Sequence, residues 1–294
     1  MAALFTDILI LAAVILLIVG SLVAYSLLRF RARAGAREPS QKPGSRTWEL
    51  VWTIIPVLAV AVIFIVTVRA MARVDAPQQT SQPADLVITG HQWWWDARYP
   101  NGVVATGEIH IPAARRLLAR IESADVIHDF WAPQLARKMD AVPGRPSFIW
   151  LEADRPGTYA GACSEFCGTQ HAWMRFAVIA ESEPNFAAWL ERQSAPAREP
   201  SSDPEAQGAR LFREKKCADC HSTSGAGANT TRGPDLSHLK SRGILGGGIS
   251  ANTPAALTLW LTNPQSAKPG NRMPATPLQP AEARALLQYL ETLE

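Results

Sequence analysis

Cys163-Ser-Glu-Phe-Cys167-Gly-Thr-Gln-His171-Ala-Trp-Met174 sets two thiols, an imidazole and a thioether within one short stretch of chain. These are soft donors of the kind that suit copper. A second signature lies downstream at Cys217-Ala-Asp-Cys220-His221. It has the C-x-x-C-H spacing that attaches a c-type haem through two thioethers and offers its histidine to the iron. The chain has four cysteines, and these two motifs use all of them. Two disulfides in an exported protein are the competing reading. A disulfide needs neither His171 and Met174 at fixed offsets nor a histidine directly after Cys220, so metal and haem chemistry are the expected roles.

At 294 residues the chain has room for about two domains plus membrane anchors. Residues 8–28 and 50–68 are uncharged apolar runs, each close to the roughly 20 residues that span a bilayer. A signal peptide is the alternative for the first run. That run lacks a basic leading region, and arginines follow it where a small-residue cleavage site belongs, so a retained helix is expected. Between the runs, Arg29, Arg31, Arg33, Arg37, Lys42 and Arg46 outnumber the acids Glu38 and Glu49. The positive-inside rule places this loop in the cytoplasm and both termini outside. Much of the excess base behind the net charge of +3 lies in this loop, so the charge is no argument for nucleic acid, and no nucleic-acid motif occurs. Pro56 falls inside the second helix, where a kink is tolerated in lipid. Glu49, at that helix's cytoplasmic end, is either an interfacial carboxylate reaching water or a collector of protons for a buried pathway.

Beyond the helices, short apolar strands at 86–89, 103–105, 116–120, 147–151 and 175–179 alternate with turns at Pro112, Pro143-Gly144 and Pro156-Gly157. Several strands at this spacing argue for an all-β sandwich or barrel. His128 precedes Asp129-Phe-Trp-Ala-Pro133 in what reads as a loop between strands. A rigid sandwich with a late ligand loop and one earlier histidine is the way cupredoxins hold copper, because electron transfer requires ligands that move little. His128, Cys163, Cys167, His171 and Met174 supply such a set, and two cysteines in place of one imply two coppers bridged by both thiolates.

Residues 191–204 are rich in proline, serine and charge and read as a linker. Asp203-Pro204-Glu205 opens a helix, with Asp203 as the expected N-cap. That helix presents Gly208, Leu211 and Phe212, and a final helix over 280–293 presents Ala285, Leu286, Tyr289 and Leu290. The pair resembles the small all-helical cytochrome c fold, in which a small residue on the first helix lets the last approach closely. For the sixth position of a haem iron carried by His221 the candidates are Met273, His238 and Lys240. Met273 is favoured, in the proline-framed loop Pro269-Gly-Asn-Arg-Met273-Pro274, since a thioether raises the reduction potential. His238 is then expected to be a hydrogen-bonding partner.

Together with Glu49-Leu-Val-Trp-Thr-Ile-Ile-Pro56, Gly90-His-Gln-Trp-Trp-Trp95, Val126-Ile-His128-Asp-Phe130 and Lys138-Met-Asp-Ala-Val-Pro-Gly144, the copper motif resembles subunit II of the haem-copper cytochrome c oxidases. The segments 233–242 and 263–274 resemble the cytochrome c extension of those bacterial subunits, of the caa3 type, that carry a fused electron donor. The resemblance implies a dinuclear copper A centre held by His128, Cys163, Cys167, His171, Met174 and the backbone carbonyl of Glu165. It also implies one covalent haem c on Cys217, Cys220 and His221. Trp93 would lie where electrons enter the copper domain, and Glu49 at the mouth of a proton pathway. At least one of Trp93, Trp94 and Trp95 is expected to be structural. Asp129 departs from the family pattern and is expected to tune either the basicity of His128 or its docking surface.

The expected architecture is a multidomain membrane protein. A two-helix transmembrane hairpin (1–29 and 50–72, with a cytoplasmic loop at 30–49) precedes an all-β cupredoxin-like domain at 84–182. A short helix and linker (183–203) and an all-α cytochrome c domain (204–294) follow. The expected function is electron transfer from haem c to copper A and on to subunit I of a proton-pumping oxidase in the bacterial inner membrane. Every histidine of the chain lies beyond residue 90, so the oxygen-reducing site, which needs histidines within the membrane, belongs to another subunit. Expected partners are subunit I, subunit III, membrane lipid and an external donor such as a cytochrome c or a cytochrome bc complex. The alternatives are the matching subunit of a copper-containing nitric oxide reductase and, in another class, a copper-delivery protein. A delivery protein has no use for a haem domain.

Overall fold

The computed structural model describes residues 2–31, 35, 41, 44–76, 82–224 and 232–294. Four of the loop charges weighed above, Arg33, Arg37, Glu38 and Lys42, lie outside the described residues. Met1–Asp75 and Ala76–Glu294 form separate compact units.

The first unit holds α1 (Ala2–Arg29) and α2 (Arg46–Val74), of 28 and 29 residues. At about 1.5 Å per residue each exceeds the roughly 30 Å of a bilayer's hydrocarbon core. Leu16, Leu22, Ile55 and Phe64 are exposed, and no residue of α2 is buried. An apolar surface of this extent is stable only in lipid or under a partner. The helix starts four residues before the apolar run and so takes Glu49 into its first turn, where the helix dipole favours a carboxylate. Thr53 Oγ1 donates to the Glu49 carbonyl at 2.7 Å, and the helix runs on through Pro56.

The second unit begins with ten strands: β1 (Leu86–His91), β2 (Trp94–Arg98), β3 (Val104–Thr106), β4 (Glu108–Pro112), β5 (Leu117–Ser123), β6 (His128–Trp131), β7 (Met139–Ala141), β8 (Ser147–Leu151), β9 (Gly157–Cys163) and β10 (Arg175–Glu181). They build two five-stranded sheets, ordered β3-β2-β1-β5-β8 and β4-β10-β9-β6-β7. The β1–β5 and β4–β10 pairs are parallel and the others antiparallel. This is a cupredoxin-like sandwich. Alternate residues such as Leu86 and Ile88 on one sheet, and Ile109, Ile111 and Val178 on the other, fill the space between them. Trp95, Phe130 and Phe176 interlock there, with Phe130 and Phe176 stacked at 4.6 Å and Trp95 edge-on to both. Truncating such a ring costs about 3–5 kcal/mol. Gly161 faces Phe176 across the β9–β10 ladder, where a Cβ would lie 2.2 Å from the ring, so the stack requires glycine.

Helix α3 (Glu183–Ser194) leaves the sandwich and packs Phe186 and Trp189 back onto it. The helix consumes the first part of the expected linker, so 195–202 remain. Next come α4 (Asp203–Glu214), the hairpin β11 (Ile244–Leu245) and β12 (Ser250–Ala251), α5 (Pro254–Thr262), α6 (Pro264–Ala267) and α7 (Pro280–Leu290). The N-cap of α4 is Ser202 rather than Asp203. Its hydroxyl accepts from the Glu205 amide while Glu205 reaches back to the cap, and this reciprocal pair outcompetes a lone Asp. Gly208 on α4 meets α7 so closely that a Cβ would lie 2.1 Å from the Ala285 carbonyl. The two helices enclose a second core of Leu211, Phe212, Leu286, Tyr289 and Leu290, in the mainly helical arrangement of a cytochrome c, to which the short β11–β12 hairpin is added.

Candidate metal centres

The end of β9, the loop after it and the start of β6 bring the expected copper residues together. His128 is the first residue of β6, not a loop residue, and is fully buried. Its short strand, His-Asp-Phe-Trp, has too little apolar alternation to be read as one. His128 Nδ1 lies 3.9 Å from Cys163 Sγ. The two thiols are free and 3.7 Å apart. Cys167 Sγ is 3.7 Å from both His171 Nδ1 and Met174 Sδ, and Cys163 Sγ lies 3.2 Å from the Glu165 carbonyl. The Glu165 side chain is exposed, so its backbone alone addresses the cluster. His128, Cys163 and Cys167 could hold a metal ion with ligand atoms all within 4.8 Å of one another. This buried set of soft donors fits copper.

That Asp125 orients His128 was not foreseen from the sequence. Its Oδ1 takes His128 Nε2 at 2.8 Å, and the carboxylate also accepts from the Gln92 and Val126 amides at 2.7 Å. Occupying Nε2 turns Nδ1 toward the sulfurs, the usual device for orienting a ligating histidine. Burial disfavours the His128 cation, but the Asp125 and Cys163 contacts outweigh it and raise its pKa. The contact with Cys167 pulls the Cys163 thiol pKa down against its burial, with help from His128 and backbone hydrogen bonds. Cys167 is pushed up by its contact with Cys163 and by burial. Metal uptake therefore displaces a proton from the thiol pair. Asp125→Asn should weaken copper binding by about 10- to 100-fold in titrations of the chelator-stripped chain, whereas unchanged affinity would mean that other contacts orient His128.

The Asp129 side chain meets Asp140 rather than the His128 ring. Its carboxyl bonds Asp140, its direct cross-strand partner, and burial with this pairing pushes its pKa up to about 7. The three tryptophans divide the work. Trp95 is fully buried core, edge-on to His128 at 5.7 Å. Trp94 stacks on His91 and donates to Asp96. Trp93 Nε1 donates to the Cys167 carbonyl at 3.0 Å, and Gln92 Nε2 donates to the same oxygen at 2.7 Å.

In the helical part of this unit, Cys217, Cys220, His221 and Met273 line one apolar cavity of about 260 Å³, with Trp93 on its wall. Lys216, with φ of +63°, turns the chain from α4 into the cysteine motif. His221 Nδ1 faces the Pro234 carbonyl at 2.8 Å, which leaves Nε2 for a metal. A Cβ on Gly233 would lie 2.7 Å from that ring. Two half-buried cysteines, an oriented histidine and a methionine around an apolar cavity fit a c-type haem. His238 and Lys240 are absent from the cavity lining. Lys240 instead pairs with Glu291 at 3.6 Å. His238 is not the expected hydrogen-bonding partner, since both its ring nitrogens are buried without a bond among the described residues.

The family models for the transmembrane domain of cytochrome c oxidase subunit II, its periplasmic domain and cytochrome c match residues 1–69, 103–181 and 205–294. Cytochrome c oxidase subunit 2 of Alkalihalophilus pseudofirmus is 34% identical over 289 residues, covering 96% of this chain and 84% of the relative. The Bacillus subtilis subunit is 30% identical over 291 residues, covering 92% and 82%. The periplasmic domain of subunit II of cytochrome oxidase of Bradyrhizobium japonicum is 34% identical, covers 38% of this chain and 96% of that one, and superposes with a TM-score of 0.36. Two apolar helices anchor the protein in the membrane, and its soluble domains face the periplasm. With a hairpin anchor, a thiol-bearing sandwich and a C-x-x-C-H domain in this order along the chain, it belongs to the cytochrome c oxidase subunit II family, in the form that carries a fused cytochrome c domain.

Proposed function

We propose that this electron-transfer subunit passes electrons from a covalent haem c to a dinuclear copper A centre and on to subunit I, where oxygen is reduced to water and protons are pumped. The observation that carries this reading is Trp93, which lines the cavity holding Cys217, His221 and Met273 and also donates to the Cys167 carbonyl of the thiol cluster. When bound, the haem and the copper pair supply reversible one-electron transfer. The chain's own residues position them. Cys217 and Cys220 would anchor the haem covalently, and His221 and Met273 would hold its iron. Cys163, Cys167, His128, His171, Met174 and the Glu165 carbonyl would hold the coppers. Burial of His128, Cys163, Cys167 and Met174 limits rearrangement and excludes water.

As a subunit II the chain assembles with subunit I of a haem-copper oxidase. Subunit III and an external donor, a cytochrome c or a cytochrome bc complex, complete the proposed set of partners. Metal analysis of the purified complex, with its oxygen and nitric oxide turnover, tests the reading. Two coppers and one covalent haem on this subunit, with oxygen consumed, are expected; faster turnover of nitric oxide would assign the complex to the other reaction.

Glu49 is proposed to feed protons to subunit I. Glu49→Gln should slow steady-state oxygen turnover without changing either metal spectrum or first-turnover electron transfer to copper. Wild-type turnover in a fully assembled variant would leave Glu49 as a carboxylate suited to the first turn of its helix.

A further inference from the structure

Lys268 follows α6 in the cytochrome domain and is 3% exposed, a rare state for a lysine. Its ammonium has three protons and three carbonyl partners: Gly246 at 2.9 Å, Trp173 at 3.1 Å and Trp93 at 3.4 Å. Gly246 belongs to its own domain. Trp173 lies between His171 and Met174, and Trp93 sits at the β1–β2 turn. One buried cation thus ties together the two tryptophan-bearing segments beside the thiol cluster and a glycine turn of the cytochrome domain. Burial pushes the Lys268 pKa down to about 8, so the cation persists at neutral pH.

The same seam carries further contacts. Gly246, Gly247 and Gly248 have φ of +62°, +73° and +77°, a left-handed run that glycine alone adopts readily. It lets the Gly247 carbonyl accept from the Arg175 amide at 2.9 Å, directly after Met174. The buried Glu108 carboxylate accepts from the Gly243 amide at 2.9 and 3.1 Å. Arg272, next to Met273, places its guanidinium 5.4 Å from the Trp93 ring centroid and bonds the Gln92 side chain.

We propose that Lys268 is a positioning residue that pins the cytochrome domain onto the Trp93 face of the copper domain, so that Trp93 serves the haem of this chain and is closed to external electron donors. The inference rests on the function proposed above and deepens it. An external donor then delivers its electron to the cytochrome domain and never directly to the copper domain. The tethered domain stays docked and does not search for its site through the linker.

The test uses the full chain in detergent, comparing wild type with Lys268→Met, which keeps the length and removes the cation. Hydrogen exchange at the Arg175 and Gly243 amides reads the seam with or without bound metals. Both amides should be protected in the wild type. The variant should exchange about tenfold faster or more, the scale of one charge-assisted hydrogen bond, while its melting temperature and both optical spectra stay unchanged. In the loaded protein, haem-to-copper transfer should be independent of solvent viscosity in the wild type. It should become viscosity-dependent in the variant, whose copper should also accept electrons directly from added cytochrome c. Fast exchange or viscosity-dependent transfer in the wild type would overturn the inference even if the variant does not fold, as would wild-type exchange in a folded variant. Absence of the copper or haem spectrum from the wild type would instead sink the function proposed above, leaving the exchange result to judge the docking.

Discussion

Replacing Cys163 or Cys167 with serine should abolish the two-copper spectrum completely and reduce oxygen turnover to background, while the haem c spectrum stays intact. Each sulfur sits 3.7 Å from the other and beside a histidine, His128 for Cys163 and His171 for Cys167, so neither can be lost without removing a bridge between two ligand groups. A serine hydroxyl cannot substitute, because it neither ionises in this range nor shares the softness of a thiolate. The haem spectrum should survive because Cys217 packs against the second hydrophobic core, whereas Cys163 and Cys167 belong to the first. Electron paramagnetic resonance of each variant checks this outcome, and a normal two-copper signal in either would refute the bridging roles. Met174→Leu should be milder, since a weak thioether tunes potential more than it holds metal.

Met273→Ala should leave covalent haem in place and open its sixth position. The reduced iron would then turn high-spin and bind carbon monoxide. Attachment depends on Cys217 and Cys220, while six-coordination depends on the donor opposite His221, and Met273 is the candidate that lines the cavity. Loss of the thioether should also lower the haem potential and slow reduction by an external donor. If Met273→Ala stays low-spin while His238→Ala turns high-spin, the sixth ligand is His238. Both variants are read by optical spectra with and without carbon monoxide.

Local chemistry made much of this molecule legible before any coordinates. The 163–174 stretch carries four donor side chains on one connected loop, so their convergence needs no long-range information. The two anchors are equally local, since uncharged apolar length is itself the signal. Gly208 is expected at a close helix crossing from the resemblance to the cytochrome c fold, and it meets the Ala285 carbonyl there. What the residues concealed is non-local. Asp125 looks like any loop acid until the chain folds it against His128 Nε2. The strand that begins at His128 carries two charges or imidazoles in four residues, and its burial comes from β7 and β9 on either side. Asp129 was read as acting on its sequence neighbour, yet alternation in a strand sends it toward Asp140. Lys268 was not singled out from the sequence, because only the docking of two domains encloses it.

The most direct measurement is single-turnover electron transfer in the purified complex with subunit I inhibited. A light-driven reductant would inject one electron per molecule, and haem c and copper A would be followed at their separate absorption bands. Reoxidation of the haem and reduction of the copper should share one rate constant, with matching amplitudes and no dependence on protein concentration. Haem reoxidation without copper reduction, or a shared rate that rises with protein concentration, would contradict transfer within this chain.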